Sequence, residues 1–598
     1  MRKINRRDCM TTLAGSLLAA SALQRHRRRP NVLVILADDQ GWGDLSINGN
    51  SNLSTPHIDS LAGDGAMLDR FYVCSLCAPT RAEFLTGRYY PRGGVRGVDV
   101  GFERLNLDER TIAETFKSAG YRTAAFGKWH NGSQHPYHPN ARGFEEFYGF
   151  TSGHWGQYFD PELDHNGTPV RGKGFIIDDL TNHALDYLAQ NRERPFFCYL
   201  PLNTPHAPMQ VPDRFFEKFA NMQPGMRARA PEQEDIGMTR AALAMCENID
   251  WNVGRVLAKL DELKLRDDTL VVYFSDNGPN SWRWNGGMKG RKGSVDEGGL
   301  RAPFLIRWPG VIKAGARISQ MGAAIDLLPT LADLAGIPTG TSKPLDGRSL
   351  KPLVTGPSET WPERMLFSLQ LGWETNYVQR MEHKKVTVRT QQYRLDPSGR
   401  LFDMDADPGQ DTDVAERHPD VAARLDRAAA EWAAEMVSLI GPDDRPFPVG
   451  YAKGTRLPAS DGVPEGGVER SARFPNCSYF KKWTGTQGRM TWDIEVARDG
   501  DYAAEILYTC PAADVGSTVE LSFKDSRVRG KVAEAHDPPL VGAAFDRVQR
   551  EESYVKDFRP LSLGKIRLSK GRGQLILRAL EVAGRQIADV RGVSLTRV

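Results

Sequence analysis

The stretch NVLVILADD, Asn31 to Asp39, decides how the first half of this chain is read. Its apolar residues run without alternation and end in two aspartates, the pattern of a strand buried on both faces. Three further runs repeat the design: RTAAFGKWH (Arg122 to His130), PFFCYLPLNTPH (Pro195 to His206) and TLVVYFSDNG (Thr269 to Gly278). Between them lie helical stretches, among them ERTIAETFKSAG (Glu109 to Gly120) and MTRAALAMCENIDWNVGRVLAKLDEL (Met238 to Leu263). Apolar strands alternating with amphipathic helices predict an α/β fold, with a large mixed, mostly parallel sheet between helices. Ligands of such sheets bind beyond the carboxyl ends of the strands. All four runs deliver Asp, Asn, Lys or His at that end.

Beyond about residue 356 the pattern shortens. QYRLDPSGRLFDMDADPGQDTDVA reads as short strands and turns, and PDVAARLDRAAAEWAAEMV (Pro419 to Val437) as a helix. The expected organisation is a catalytic domain over 31–355, a small α+β subdomain over 356–440, a Pro/Gly/Asp-rich linker over 441–467 and an appended β-sandwich over 468–598. In that sandwich Trp483, Trp492, Tyr502 and Tyr508 are either core side chains or aromatic platforms for sugars.

The chain's 598 residues are more than one compact core holds. Charged residues are 26% and the net charge is +3, so no basic field points to nucleic acid. Residues 1–22 read as an export signal: Arg6-Arg7, a short apolar segment from Met10 to Leu18, then Ala20-Ser21-Ala22. The paired arginines resemble a twin-arginine leader, with ordinary secretion the alternative. The segment is too short to span a bilayer, and the protein is expected outside the cytoplasm, in the periplasm or beyond, with no stable membrane insertion. Apart from Cys9 in the leader, the cysteines are Cys74, Cys77, Cys198, Cys246, Cys477 and Cys510, with no zinc-type pairing.

The chemistry gathers around CSLCAPTRAEFLTGR, Cys74 to Arg88. Pro79 suits the first turn of a helix and Gly87 its end. Cys77 then sits at the helix N-terminus, where free N–H groups favour an anion, with Arg81 one turn on. Asp38-Asp39 and Asp276-Asn277 offer the oxygen ligands of a hard cation. Lys128, His130, His206 and Lys292 add cations and proton carriers.

CAPTRAEFLTGR resembles the signature of the type I sulfatases, in the alkaline phosphatase superfamily. NVLVILADDQGWGDL, GYRTAAFGKWHNG, PLNTPHAP, YFSDNGP and RKGSVDEGGLRAPFLIRWPG resemble the family's other blocks, in the expected order. The resemblance covers Asn31 to Leu439 and implies an arylsulfatase-like hydrolase of sulfate esters, with sulfated carbohydrate as the expected substrate class. It implies that Cys77 is oxidised by a formylglycine-generating enzyme to Cα-formylglycine, whose hydrate attacks sulfur to give a covalent sulfo-enzyme, the second hydroxyl then expelling sulfate as the aldehyde reforms. Asp38, Asp39, Asp276 and Asn277, with residue 77 itself, would hold one calcium ion per active site. Arg81, Lys128 and Lys292 would stabilise charge on the transferring group, His206 with Lys292 would protonate the leaving alcohol, and His130 would take the proton of the second hydroxyl. Lys289 competes with Lys292, and His154 in SGHWGQY has no family position. Two alternatives stand beside this: a phosphate or phosphonate monoester hydrolase of the same superfamily, and a non-catalytic glycan-binding protein. Specificity is expected in the loops HWGQYFDPELDHNGTPVRGKG and LGWETNYVQRMEHKK.

Overall fold

The computed structural model describes residues 29–356, 361–370, 385–440 and 444–598. The export signal and nearly all of LGWETNYVQRMEHKK lie outside the described residues.

The four apolar runs are strands: β1 (Asn31–Asp38), β2 (Arg122–Lys128), β3 (Phe196–Pro205) and β4 (Thr269–Ser275). They sit side by side in the order β4-β1-β3-β2 within a ten-stranded sheet, and every pair among them is parallel. Residues 146–150 extend the parallel block beyond β2, while 304–307 and 162–165 add antiparallel strands on either side, making the sheet mixed. The lack of alternation in β1 has a simple cause. Val32, Val34 and Leu36 pack in one core, with α1 (Cys77–Thr86) and the helices 112–118 and 327–334; Leu33, Ile35 and Ala37 pack in the other, under helices 176–190 and 236–262. All six side chains are fully buried, each contributing roughly 1–3 kcal/mol.

Parallel strands that enter the sheet together also leave it together. Asp38, Lys128, His206 and Asp276 therefore emerge at one edge, as expected for such sheets. Between Leu36 and Asp38 the register of β1 against β3 shifts, an irregularity of the kind that re-aims side chains.

The smaller subdomain is a four-stranded antiparallel sheet, 366–369, 386–389, 393–395 and 401–403, covered by the helix Pro419–Ile440. Buried Glu297 latches it to the catalytic domain. It accepts from Tyr72 Oη at 2.9 Å and pairs with Arg394 at 2.8 Å and Arg389 at 3.6 Å.

The C-terminal region is two six-stranded sheets face to face. Residues 444–467 are not the linker that composition suggested for 441–467. Phe447–Val449 pairs with Arg489–Val496, Gly454–Pro458 with Asp589–Arg597, and Val463–Glu465 again with Arg489–Val496. These strands are only three to five residues long, so their Pro and Gly turns dominate the composition, while Phe447, Val449 and Leu457 supply core contacts. Trp483, Trp492, Tyr502 and Tyr508 are all at most 1% exposed and belong to that core. They are not sugar platforms. Among the described residues no helix is long and apolar enough to cross a membrane.

Candidate active site

Helix α1 begins at Cys77 after an extended Leu76 and ends on Gly87 at φ 69°, the left-handed conformation glycine adopts without strain. Thr80 Oγ accepts from the Cys74 N–H at 2.8 Å and donates to the Asp276 carbonyl at 2.6 Å, pinning the first turn to the end of β4. One turn on, the fully buried Arg81 donates through Nε and Nη2 to Asp276 Oδ2 at 3.1 and 2.8 Å, and through Nη1 to the Lys128 carbonyl at 2.9 Å. Arg81 thus ties α1 to the ends of β2 and β4 and faces Asp276, not the open cleft.

Lys128 Nζ donates to Asp38 Oδ2 at 2.7 Å. Lys292 Nζ reaches the two Asp39 oxygens at 2.7 and 2.9 Å, and Asn277 Nδ2 donates to Asp39 Oδ1 at 2.8 Å. Asp39 has φ 70°, which aspartate tolerates better than most residues. That turn is held by Arg283, whose Nη2 donates to the Asp39 carbonyl at 2.9 Å, and by the Asp39 N–H on Asp276 Oδ1 at 3.2 Å. Lys289, the competitor of Lys292, pairs with Asp296 at 3.3 Å and does not line the cleft.

Two sets of ligand atoms lie within 4.8 Å of one another: Asp38, Cys77 and Asp276, and Asp38, Asp39 and His206. Asp38 Oδ1 and Asn277 Oδ1 are buried without a hydrogen-bond partner. Orphaned oxygens at the shared end of two strands fit a hard cation, which takes six to eight such ligands. Burial opposes ionisation of Asp38, but Lys128, His206, Arg81 and Lys292 outweigh it and hold the carboxyl well below its usual range. Burial pushes Asp276 up to about 7, aided by Asp38 and opposed by Arg81. A divalent cation would supply the missing positive charge. Burial raises the Cys77 thiol, against the pull of Lys128 and Lys292. Burial also works against the Lys292 ammonium, yet Asp39 and Cys77 outweigh it, and the group stays firmly protonated.

The histidines have assignable tautomers, because a carbonyl can only accept. His130 Nε2 donates to the Val98 carbonyl at 2.6 Å, leaving a buried Nδ1 lone pair without a partner. Burial and then Lys128 push it well below the ordinary histidine value, so the ring is neutral. His206 Nδ1 donates to the Ala207 carbonyl at 2.7 Å, and its Nε2 lies 3.8 Å from Asp39 Oδ2. Burial and then Lys292 lower this ring as well. In the resting site the proton therefore sits on Lys292.

Cys77, Asp39, His130, His206 and Lys292 line one cleft of about 450 Å³, while Asp38, Asp276, Asn277, Arg81 and Lys128 form the layer behind it. These ten residues, all expected from sequence, are therefore in one place, whereas Lys289 stands outside it. Missed were Asn280 and Arg291, and the sandwich's contribution to the cleft wall through Phe474, Asn476 and 548–552. No motif marks those segments, since they reach the site only through domain packing. His154 also lines the cleft, its ring 5.5 Å from that of His206.

Comparisons with known proteins place the chain in a family. The family model described as Sulfatase matches residues 30–337. The chain belongs to the sulfatase family. A second model, N-sulphoglucosamine sulphohydrolase, C-terminal, matches residues 291–431. N-acetylgalactosamine-6-sulfatase of Mus musculus is 31% identical over 375 residues, covering 57% of this chain and 68% of that one. Arylsulfatase A of Homo sapiens is 34% identical over 388 residues, covering 59% and 72%. The crystal structure of Ps i-CgsB in complex with k-i-k-neocarrahexaose superposes with a TM-score of 0.59 at 29% identity, covering 68% of this chain and 93% of that one. This sulfatase is a sulfuric ester hydrolase of the alkaline-phosphatase-like superfamily, its catalytic sheet followed by a β-rich C-terminal region.

Proposed function

We propose that this sulfatase hydrolyses the sulfate ester of a sulfated carbohydrate at residue 77, matured from cysteine to formylglycine, beside one calcium ion. The observation that carries the reading is the meeting of Cys77 with Asp38 and Asp276 inside 4.8 Å, at a helix N-terminus flanked by two lysines. The residues fit both groups. The cation donors are all oxygen and include two orphaned atoms, and Cys77 is the first residue of α1 and faces the cleft. When present, the hydrated formylglycine supplies an oxygen nucleophile, and calcium supplies Lewis acidity toward a sulfate oxygen.

The chain's own residues do the rest. Asp38, Asp39, Asp276 and Asn277 hold the cation. Arg81 fixes Asp276 and acts as a positioning residue. Lys128 and Lys292 flank residue 77 and place positive charge where the transferring group gains negative charge. His130 accepts a proton at its unpartnered Nδ1. Lys292 holds the proton destined for the leaving alcohol, and His206 Nε2, across the Asp39 carboxylate, is placed to pass it on. The sugar assignment draws on relatives whose names and ligands are glycan sulfates. The leader over 1–22 supports export of the matured enzyme to the periplasm or beyond, after conversion by a formylglycine-generating enzyme.

The test is sulfate release from sulfated oligosaccharides and an aryl sulfate, using protein co-expressed with a formylglycine-generating enzyme, with phosphate monoesters as a second arm. Sulfate release that vanishes in Cys77→Ala, with the residue-77 peptide at its converted mass, is the expected result. Converted protein that cleaves only the phosphate esters refutes the reading.

A further inference from the structure

The sandwich grips one loop of the catalytic domain from two sides. Ser152 Oγ donates to Asn476 Oδ1 at 3.0 Å, the Cys477 thiol donates to the His154 carbonyl at 2.9 Å, and Arg550 Nη1 donates to the Gly156 carbonyl at 2.6 Å. Arg550 is itself spent on Asp546, through Nε at 2.8 Å and Nη2 at 2.5 Å. Its charge is thereby paired, though it still opposes protonation of His154. The loop so held carries His154, which is 5% exposed, lines the cleft, and has neither ring nitrogen paired. A buried imidazole with a free donor and a free acceptor costs stability unless a ligand satisfies it.

The charges of the cleft are layered. At the floor Lys292, with Lys128 in the layer behind it, provides for one sulfate. Around the opening stand Asp235, Glu551 and Glu552, with Arg291 as the countercharge; Asp99 lines the cleft beside them, its carboxyl pushed up to about 7 by burial. Among the described residues, Glu551 and Glu552 make no ion pair. Asp235 faces the cleft from the start of helix 236–262, its Oδ1 accepting from the Met238 N–H at 3.1 Å.

We propose that the sandwich and His154 build the leaving-group subsite of this enzyme, and that its acidic rim selects a sugar bearing no second anionic group beside the reacting sulfate. His154 reads a pair of sugar hydroxyls, giving one hydrogen bond and taking another. A neighbouring sulfate or uronate would sit against the rim carboxylates, where like charges in a partly water-excluded cleft repel. The inference rests on the sulfatase reading and deepens it: the substrate class is a singly charged sulfated saccharide with a neutral or amine-bearing aglycone.

Titration calorimetry on the full-length Cys77→Ala protein, which cannot turn substrate over, tests it with two probes. One is a disaccharide 6-sulfate with a neutral aglycone sugar; the other is the same disaccharide with a second sulfate on that sugar. The first should bind about tenfold more tightly, and Glu551→Gln with Glu552→Gln should shrink the gap to about twofold. His154→Ala should weaken the neutral probe about tenfold, and His154→Gln, which keeps a donor and an acceptor, should recover most of the loss. Equal or tighter binding of the disulfated probe, a gap unchanged in the glutamine variants, or no binding of either probe overturns the proposal. Failure of the sulfatase reading looks different: converted wild-type enzyme would release no sulfate from a saccharide that the Cys77→Ala protein binds.

Discussion

Calcium should stabilise the folded enzyme, and Asn277→Ala should remove most of that stabilisation. Two buried oxygens, Asp38 Oδ1 and Asn277 Oδ1, have no hydrogen-bond partner, and each such atom costs about 1–3 kcal/mol when left unsatisfied. A cation that recovers this cost binds the folded chain and not the unfolded one. At a hundred times its dissociation constant the gain is about 2.7 kcal/mol. For a domain of this size that is a rise in Tm of roughly 2–4 °C. Asn277→Ala deletes one ligand oxygen and should weaken calcium about 10- to 100-fold, halving the rise or abolishing it. The same variant loses the Nδ2 bonds to Asp39 Oδ1 at 2.8 Å and the Gly278 carbonyl at 2.9 Å, so its Tm without calcium should also drop. The decisive quantity is therefore the shift each protein shows between chelator and saturating calcium, followed by differential scanning fluorimetry. Magnesium serves as the comparison ion, because it demands a smaller octahedral shell. A calcium shift of the same size in wild type and Asn277→Ala, or none in either, would refute the assignment of these oxygens to a cation.

Gly153→Ala should lower kcat about 100-fold while leaving the calcium shift intact, because a Cβ at 153 would lie 2.1 Å from His130 Nε2 and must displace that ring; steady-state kinetics beside the thermal titration checks both halves. Glu297→Ala should cost about 3–5 kcal/mol in denaturant unfolding, since it strands Arg394 and Arg389 in a buried site. Burial alone would raise the Glu297 carboxyl, but those arginines pull it down to about 2, so its contribution is present above the usual glutamate value and is lost as pH falls toward 2. Glu83 has the opposite sign. Burial pushes its carboxyl up to about 8, so its share of stability is complete below the unfolded value near 4 and is lost as pH rises through 8. Thermal unfolding of wild type against Glu83→Gln should diverge over that interval by up to about 5 kcal/mol, wild type falling behind at the alkaline end.

What could be read from the chain, and what could not, follows from the range of the interactions involved. The unbroken apolar run of β1 reports burial on both faces, a local property, and with four such runs the parallel sheet and the shared edge of Asp38, Lys128, His206 and Asp276 follow. Helix α1 was legible for the same reason, since Pro79 and Gly87 act within one turn of the ends they mark. Short strands carry little periodicity, and the three between Phe447 and Glu465 vanished beneath their own turns. The partition of the site into a cleft-lining set and a supporting layer was out of reach. Nothing in CAPTR says that Arg81 spends its guanidinium on Asp276 and the Lys128 carbonyl, nor that the neutral tautomer of His206 leaves the proton on Lys292. Least legible was the part played by the sandwich. Its core residues announce themselves as strands, but Phe474, Asn476 and 548–552 matter because two domains meet, and His154 gains meaning only from the contacts that hold its loop. Most residues that perform the chemistry lie on strand ends and one helix, close to patterns a single segment can express, with Lys292 on a loop as the exception. Those that select the substrate lie on loops whose placement depends on the assembled molecule, which is why the reaction could be read from this sequence before its substrate.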